Sequence, residues 1–256
     1  MIIDSPRLFI RPFDDLEGAV YTAFPKDYDN FRLQYGDLLY KIRYLQNIFW
    51  RFEKEQAVFK ESINRTKELE IQKEHLSPKE FFDAQVKVGK SLTISTELMN
   101  LDGDSFFIFA RILLDRIPYL LKPFYKGIIT TNEPKTIDFK THIEWFDKHP
   151  ECILDTVYYD KLVSVREWFY NELREPRNEV IVHPKEKHFV QGIRNNGTIT
   201  RFHYVLRKKD DQDILVPAET RELPAIASLL YKIIEFMEFL NKHFTEKLKI
   251  DNTQIN

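Results

Sequence analysis

Residues 35–63 read YGDLLYKIRYLQNIFWRFEKEQAVFKESI, and this stretch decides the fold. Tyr35, Leu38, Ile42, Leu45, Phe49, Phe52, Phe59 and Ile63 follow one another in steps of three and four, interrupted only where Gln56 takes the expected apolar place. Such spacing lines one face of a long helix, because side chains three and four apart sit above one another. A seam of this kind serves either a coiled coil between two chains or a long helix packed inside its own bundle. The second outcome is the commoner one.

Working outward, Pro6, Pro12 and Pro25 and a short alternating piece over 7–13 predict an irregular N-terminal arm over 1–30. Beyond the seam, the charged run 67–75 continues the helix as a solvated face. Ser77, Pro78 and Glu80 then restart it as cap, first-turn proline and capping-box carboxylate. The β-branched run 92–96 and the turn signal Asp102-Gly103-Asp104 predict a break, followed by an apolar helix from Ser105 to about Pro123. A loop over 127–138 and a short amphipathic helix lead to His149-Pro150. Asp155 or Thr156 caps the next helix, which carries Tyr158, Leu162, Val165, Phe169 and Leu173 inward. Past Pro184 the period changes to alternation, and two apolar-alternating runs around Asp210-Asp211 predict a β-hairpin at about 197–217. A last helix is expected from about Glu219 to Lys247. The fold class is mainly α: an antiparallel helical bundle as one domain over 31–250, with a small hairpin inserted before the last helix.

Composition narrows the function. Charged residues make up 30% of the chain and its seven glycines are scattered, so no glycine-rich turn precedes a helix to cradle a nucleotide phosphate. The net charge of −2 excludes a protein built to coat nucleic acid, leaving local contact through a groove. One cysteine, Cys152, excludes a disulfide framework and any zinc site built on cysteines. A reducing, cytoplasmic setting is expected, with neither a signal peptide nor a membrane span.

The chemistry concentrates at Glu175-Pro176-Arg177-Asn178-Glu179-Val180-Ile181-Val182-His183-Pro184. Pro176 suits a helix start, and a residue before proline disfavours helical backbone, so the segment should end near Val182. Arginine keeps its charge at any physiological pH, while histidine gains or loses a proton near neutrality. Held together, they place an acid/base group beside a fixed positive charge. Arg111 and Asp115 lie one turn apart in an apolar stretch, either as a structural ion pair or with Asp115 orienting Arg177 or His183. Glu172 and Arg174 read as a solvated helix end.

An arginine with a polar residue after it and a histidine a few residues on, late in a helical bundle, resembles the HEPN superfamily. Arg177, Asn178 and His183 carry the resemblance. It implies a metal-independent endoribonuclease that dimerises, so that two motifs face one composite site. In it, the histidine or arginine helps activate a ribose 2′-hydroxyl, the arginine stabilises the phosphate, and products end in 2′,3′-cyclic phosphate. Asn178 would position the pair, with Asp115 as supporting carboxylate. The resemblance also points to defence or toxin–antitoxin systems, with an antitoxin or inhibitor protein as partner. Two features depart from the family's plan: the hairpin directly after the motif, and the chain's size.

The remaining residues give weaker signals. His183, His188 and His203 lack an acidic residue to complete a ligand spacing, so neither a metal nor another cofactor is expected. His142 and His149 are placed at the surface, and Cys152, with no activating group nearby, reads as a small core residue. Arg201, Arg207, Lys208 and Lys209 would be the place for RNA backbone contact. The competing reading is a non-catalytic helical scaffold or binding module, with Arg177 and His183 as an internal clamp and the 35–63 seam holding a partner.

Overall fold

The structure is a computed structural model and describes residues 13–131, 138–175, 177, 187–193, 199–209, 212–217 and 226–254, with only the backbone described in the three strands and in 250–254. The fold is mainly α. Its residues group into two compact units, one drawn from 1–46, 107–182 and 224–256 and the other from 47–106 and 183–223. Among the described residues, no helix is long and apolar enough to cross a membrane.

In the first unit, α1 (Asp14–Ala23) occupies most of the described part of the stretch expected to be irregular. Asp14, Asp15 and Glu17 crowd its first turn, where the helix dipole favours negative charge. Leu16 and Val20, one turn apart, are both fully buried. The flanking Pro12 and Pro25 bracket this helix rather than exclude it. Leu16 N donates to Asn241 Oδ1 at 3.1 Å, and Phe13 N donates to Tyr35 Oη at 3.2 Å.

The seam lies on α2 (Tyr28–Gln72). Tyr35, Leu38, Ile42, Leu45, Phe49 and Phe59 are all buried within this one chain. That is the outcome expected of a bundle helix, and Phe52 and Ile63 of the same seam are half-buried.

A 3₁₀ turn, Lys73–His75, leads to α3 (Pro78–Leu120). Ser77 Oγ accepts from Glu80 N at 3.3 Å while Glu80 Oε2 accepts from Ser77 N at 3.0 Å, the reciprocal capping box. Ser77→Ala is expected to lower unfolding free energy by about 1 kcal/mol. Urea unfolding would show it as a lower midpoint at unchanged slope; an unmoved midpoint would mean that the box adds nothing.

α3 runs unbroken through 92–96 and 102–104, where the sequence predicts a break. Thr93 Oγ1 and Ser95 Oγ donate to the carbonyls of Gly89 and Ser91, so their side chains bond into the helix rather than away from it. Asp102 is buried and ion-paired with Arg51 of α2, and Ser62 and Ser91 share a 2.8 Å hydroxyl bond between α2 and α3. A mid-helix glycine costs about 1 kcal/mol, which these contacts offset.

The chain continues through α4 (Tyr125–Ile128), α5 (Phe139–Lys148) and α6 (Thr156–Trp168), then a π-helical run, Phe169–Arg174. Asp138 caps α5 by accepting from Thr141 N at 2.6 Å, and Asp155 caps α6 by accepting from Tyr158 N at 3.0 Å. Three strands, β1 (Lys187–Ile193), β2 (Ile199–Lys209) and β3 (Gln212–Pro217), form an antiparallel sheet in the order β1-β2-β3, with Phe189 opposite His203 and Val205 opposite Val216. Residues 197–198 and 210–211 of the expected hairpin lie outside the described residues. The last helix, α7 (Ile226–Gln254), extends beyond Lys247; its expected start at 219–225 lies outside the described residues.

Candidate functional site

Arg177 is half-buried just past the π-helical run. Asn178 and His183 lie outside the described residues, as do the side chains of His188, His203 and the basic strand positions. Short π segments are rare and recur at functional sites, because the widened turn redirects the side chains that follow.

The first residue of that run, Phe169, is fully buried, and the guanidinium of Arg111 sits 4.7 Å from its ring centroid. Arg111 is itself buried. Its Nε donates to Asp115 at 3.0 Å and its Nη2 lies 3.2 Å from Asp138 Oδ2. Asp115 Oδ1 also accepts from Phe139 N at 2.9 Å, at the start of α5. One guanidinium thus joins α3 to the start of α5 and the end of α6. Burial pushes the Asp115 carboxyl up, and the opposing Arg111 charge and Phe139 N–H do not cancel it. Burial also raises Asp138, but the Thr141 bonds and Arg111 outweigh it, so its net shift is downward. Asp115→Ala should destabilise by about 1–3 kcal/mol, because a buried arginine loses one carboxylate and Phe139 N its acceptor. Thermal or urea unfolding would check it, and a neutral result would mean that Asp138 suffices.

Glu172 is no solvated end. Both its carboxylate oxygens accept from Lys232 Nζ, at 2.5 and 2.6 Å, tying the π run to α7. Arg174 packs over the Tyr170 ring at 5.5 Å.

His142, expected at the surface, is fully buried. On α5, Phe139, His142, Ile143 and Phe146 lie on one inward stripe, and all four are buried. Tyr125 Oη donates to Pro118 O at 3.1 Å and lies 3.2 Å from His142 Nδ1, while His142 Nε2 lies 2.6 Å from Tyr158 Oη. With the Tyr125 proton committed to the carbonyl, Nδ1 carries the imidazole proton and Nε2 accepts from Tyr158. The ring is neutral, and burial lowers its pKa to about 3.

A second histidine, His243, carries no local signal in the sequence. Buried Asp155 accepts from His243 Nε2 at 2.7 Å and ion-pairs with Lys247, both on α7. Burial raises the Asp155 carboxyl, but bonds from His243, Lys247 and Tyr158 N outweigh it and bring it down to about 2. With the carboxylate also capping α6, the pair locks α6 to α7.

No family model, curated protein or solved structure matches this chain.

Proposed function

We propose that the protein is a HEPN-like, metal-independent endoribonuclease that acts as a homodimer, with the Arg177–Asn178–His183 motif as its site. The carrying observation is the placement of Arg177 in a mainly helical unit, half-buried just beyond a π-helical run. In this reading His183 takes the proton of a ribose 2′-hydroxyl. The 2′-oxygen attacks the adjacent phosphorus, the bond from phosphorus to the 5′-oxygen breaks, and the 5′-oxygen leaves as a hydroxyl with the proton that the His183 imidazolium returns. Arg177 stabilises the crowded phosphate and Asn178 positions the pair. Asp115 is a positioning residue: it holds Arg111 against Phe169, where the π run begins. The antiparallel insert after the motif, read as a basic hairpin, would meet the RNA backbone through Arg201, Arg207, Lys208 and Lys209. In a defence or toxin–antitoxin setting, an antitoxin or inhibitor protein would silence the site.

One observation favours the second reading, a non-catalytic helical scaffold. Arg111 is ion-paired with both Asp115 and Asp138 inside the first unit, a structural use of charge such as a scaffold would make.

Mixed RNA incubated with purified protein in EDTA separates the two. The nuclease reading expects fragments ending in 2′,3′-cyclic phosphate, reduced at least about a hundredfold in both Arg177→Ala and His183→Ala. A folded dimer that leaves RNA intact after denaturing and refolding, which strips any bound inhibitor, would sink it. So would cleavage that neither substitution affects.

A further inference from the structure

Where α5 ends, the chain makes a tight 3₁₀ turn, Pro150–Cys152, with His149 before it. Three donors of different kinds converge there. His149 Nδ1 lies 3.5 Å from Glu151 Oε1, Cys152 Sγ lies 3.5 Å from the same oxygen, and all three ligand atoms lie within 4.8 Å of one another. We propose that His149, Glu151 and Cys152 form a binding site for a borderline transition-metal ion of the Zn²⁺ class, separate from the proposed ribonuclease motif.

Geometry supports this first. Zinc bonds of about 2.0–2.3 Å place tetrahedral donors roughly 3.3–3.7 Å apart. Two of the three edges already have that length, and the third closes with a shift of roughly 1 Å in the His149 or Cys152 side chain. Preorganisation supports it next. His149 N bonds Trp145 O, Cys152 N bonds His149 O at 3.1 Å, and Ile153 N bonds Pro150 O. Thr130 N bonds Cys152 O at 2.9 Å, and Ile129 bridges to Ile153. The His149 ring rests on Trp145 at 4.9 Å. The backbone bearing the donors is therefore fixed from both sides, as a metal site requires.

The donor set names the ion. One imidazole, one carboxylate and one thiolate are too soft for Mg²⁺ or Ca²⁺, which take oxygen ligands, and they suit Zn²⁺ or Co²⁺. A single cysteine cannot build an all-thiolate site, but it can complete a mixed one. Cys152 is buried, whereas His149 and Glu151 reach solvent, so the fourth position faces water.

Cys152 is the chain's one cysteine, which makes the test unambiguous. Reduced, EDTA-treated and desalted full-length protein is titrated with Co²⁺ and followed by absorbance. One equivalent is expected to give a sulfur-to-cobalt charge-transfer band with the visible bands of a four-coordinate ion, and Zn²⁺ should displace it. His149→Ala and Glu151→Gln, both at solvent-reaching positions, should each weaken binding at least about tenfold, since even outer-shell losses cost roughly that much. Cys152→Ala, checked for folding by circular dichroism, should abolish the band. No charge-transfer band at saturating Co²⁺, or a band whose affinity both ligand variants leave unchanged, would overturn the site. RNA cleavage is not read, so neither result bears on the ribonuclease reading.

Discussion

Asp155→Ala is expected to cost about 3–4 kcal/mol of unfolding free energy, because one buried carboxylate does three separate jobs. It caps α6 through Tyr158 N at 3.0 Å, and losing such a cap costs about 1 kcal/mol. It accepts from His243, which is mostly buried and loses a charge-assisted bond of about 2 kcal/mol. It also pairs with Lys247, whose ammonium reaches water, so that contact adds under about 1 kcal/mol. Asp155→Asn keeps an acceptor for Tyr158 N but loses the charge, so about half the effect should remain. Urea unfolding of the three proteins decides this, and a cost below about 1 kcal/mol for the alanine variant would refute the lock. The pH sign is set by the lowered folded pKa. The Asp155 contribution is present above its unfolded value, near 3.9, and is lost as pH falls toward about 2.

The parts of the fold legible in the sequence were those decided within a few residues. The α2 seam was readable because a helix repeats its inward face every three or four residues, and Tyr35 to Phe49 obey that rule without a gap. Ser77 was readable as a cap, and Asp155 as one of two neighbouring candidates with Thr156, because a short oxygen-bearing side chain reaches the N–H two or three residues on. α3 was misread for the opposite reason. Its β-branched run and Gly103 are true local weaknesses, but Asp102 finds Arg51 and Ser91 finds Ser62 far away in sequence. Tertiary bonds overrode propensity. At α1 two local signals conflict: the prolines at 12 and 25 suggest irregular chain, whereas three carboxylates in the first turn favour a helix start, and the helix prevails.

The site divides along the same line. Arg111 and Asp115 were legible as a pair because they are one turn apart, but nothing local announced Asp138 or the Phe169 ring as partners. His243 could not be linked to Asp155 from spacing, since 88 residues separate them. His142 was a different failure, for its signal was present. Phe139, Ile143 and Phe146 define the inward stripe of α5, and position 142 falls on it. Treating histidine as a surface residue overrode a periodicity that pointed inward. His149, expected at the surface, does reach solvent; its meeting with Glu151 and Cys152, almost adjacent in sequence, comes from the 3₁₀ turn.

Burial of His142 leads to the second large effect, a steep loss of stability in mild acid. In the unfolded chain this imidazole takes up a proton near pH 6.5, whereas in the folded chain burial holds it neutral down to about pH 3. Between those values the unfolded state binds one proton more, so unfolding free energy falls by about 1.4 kcal/mol per pH unit. Above pH 6.5 neither state is protonated and the term vanishes; from pH 6.5 to 4.5 it amounts to about 2.7 kcal/mol. The ring has no way out of the penalty by finding a counter-charge, because its described polar neighbours are the hydroxyls of Tyr125 and Tyr158. Protonation would also destroy the Nε2 acceptor that Tyr158 uses. His142→Gln can donate at one end and accept at the other without titrating. It is expected to be less stable than wild type at pH 7.5, since Gln fits the aromatic cage formed by Phe139, Phe146 and Tyr158 less well. Its stability should nevertheless fall less steeply, by about 1.4 kcal/mol per unit between pH 6 and 4.5. Urea unfolding at half-unit steps measures both slopes. Parallel curves for the two proteins would show that His142 takes up its proton in the folded state as readily as in the unfolded one.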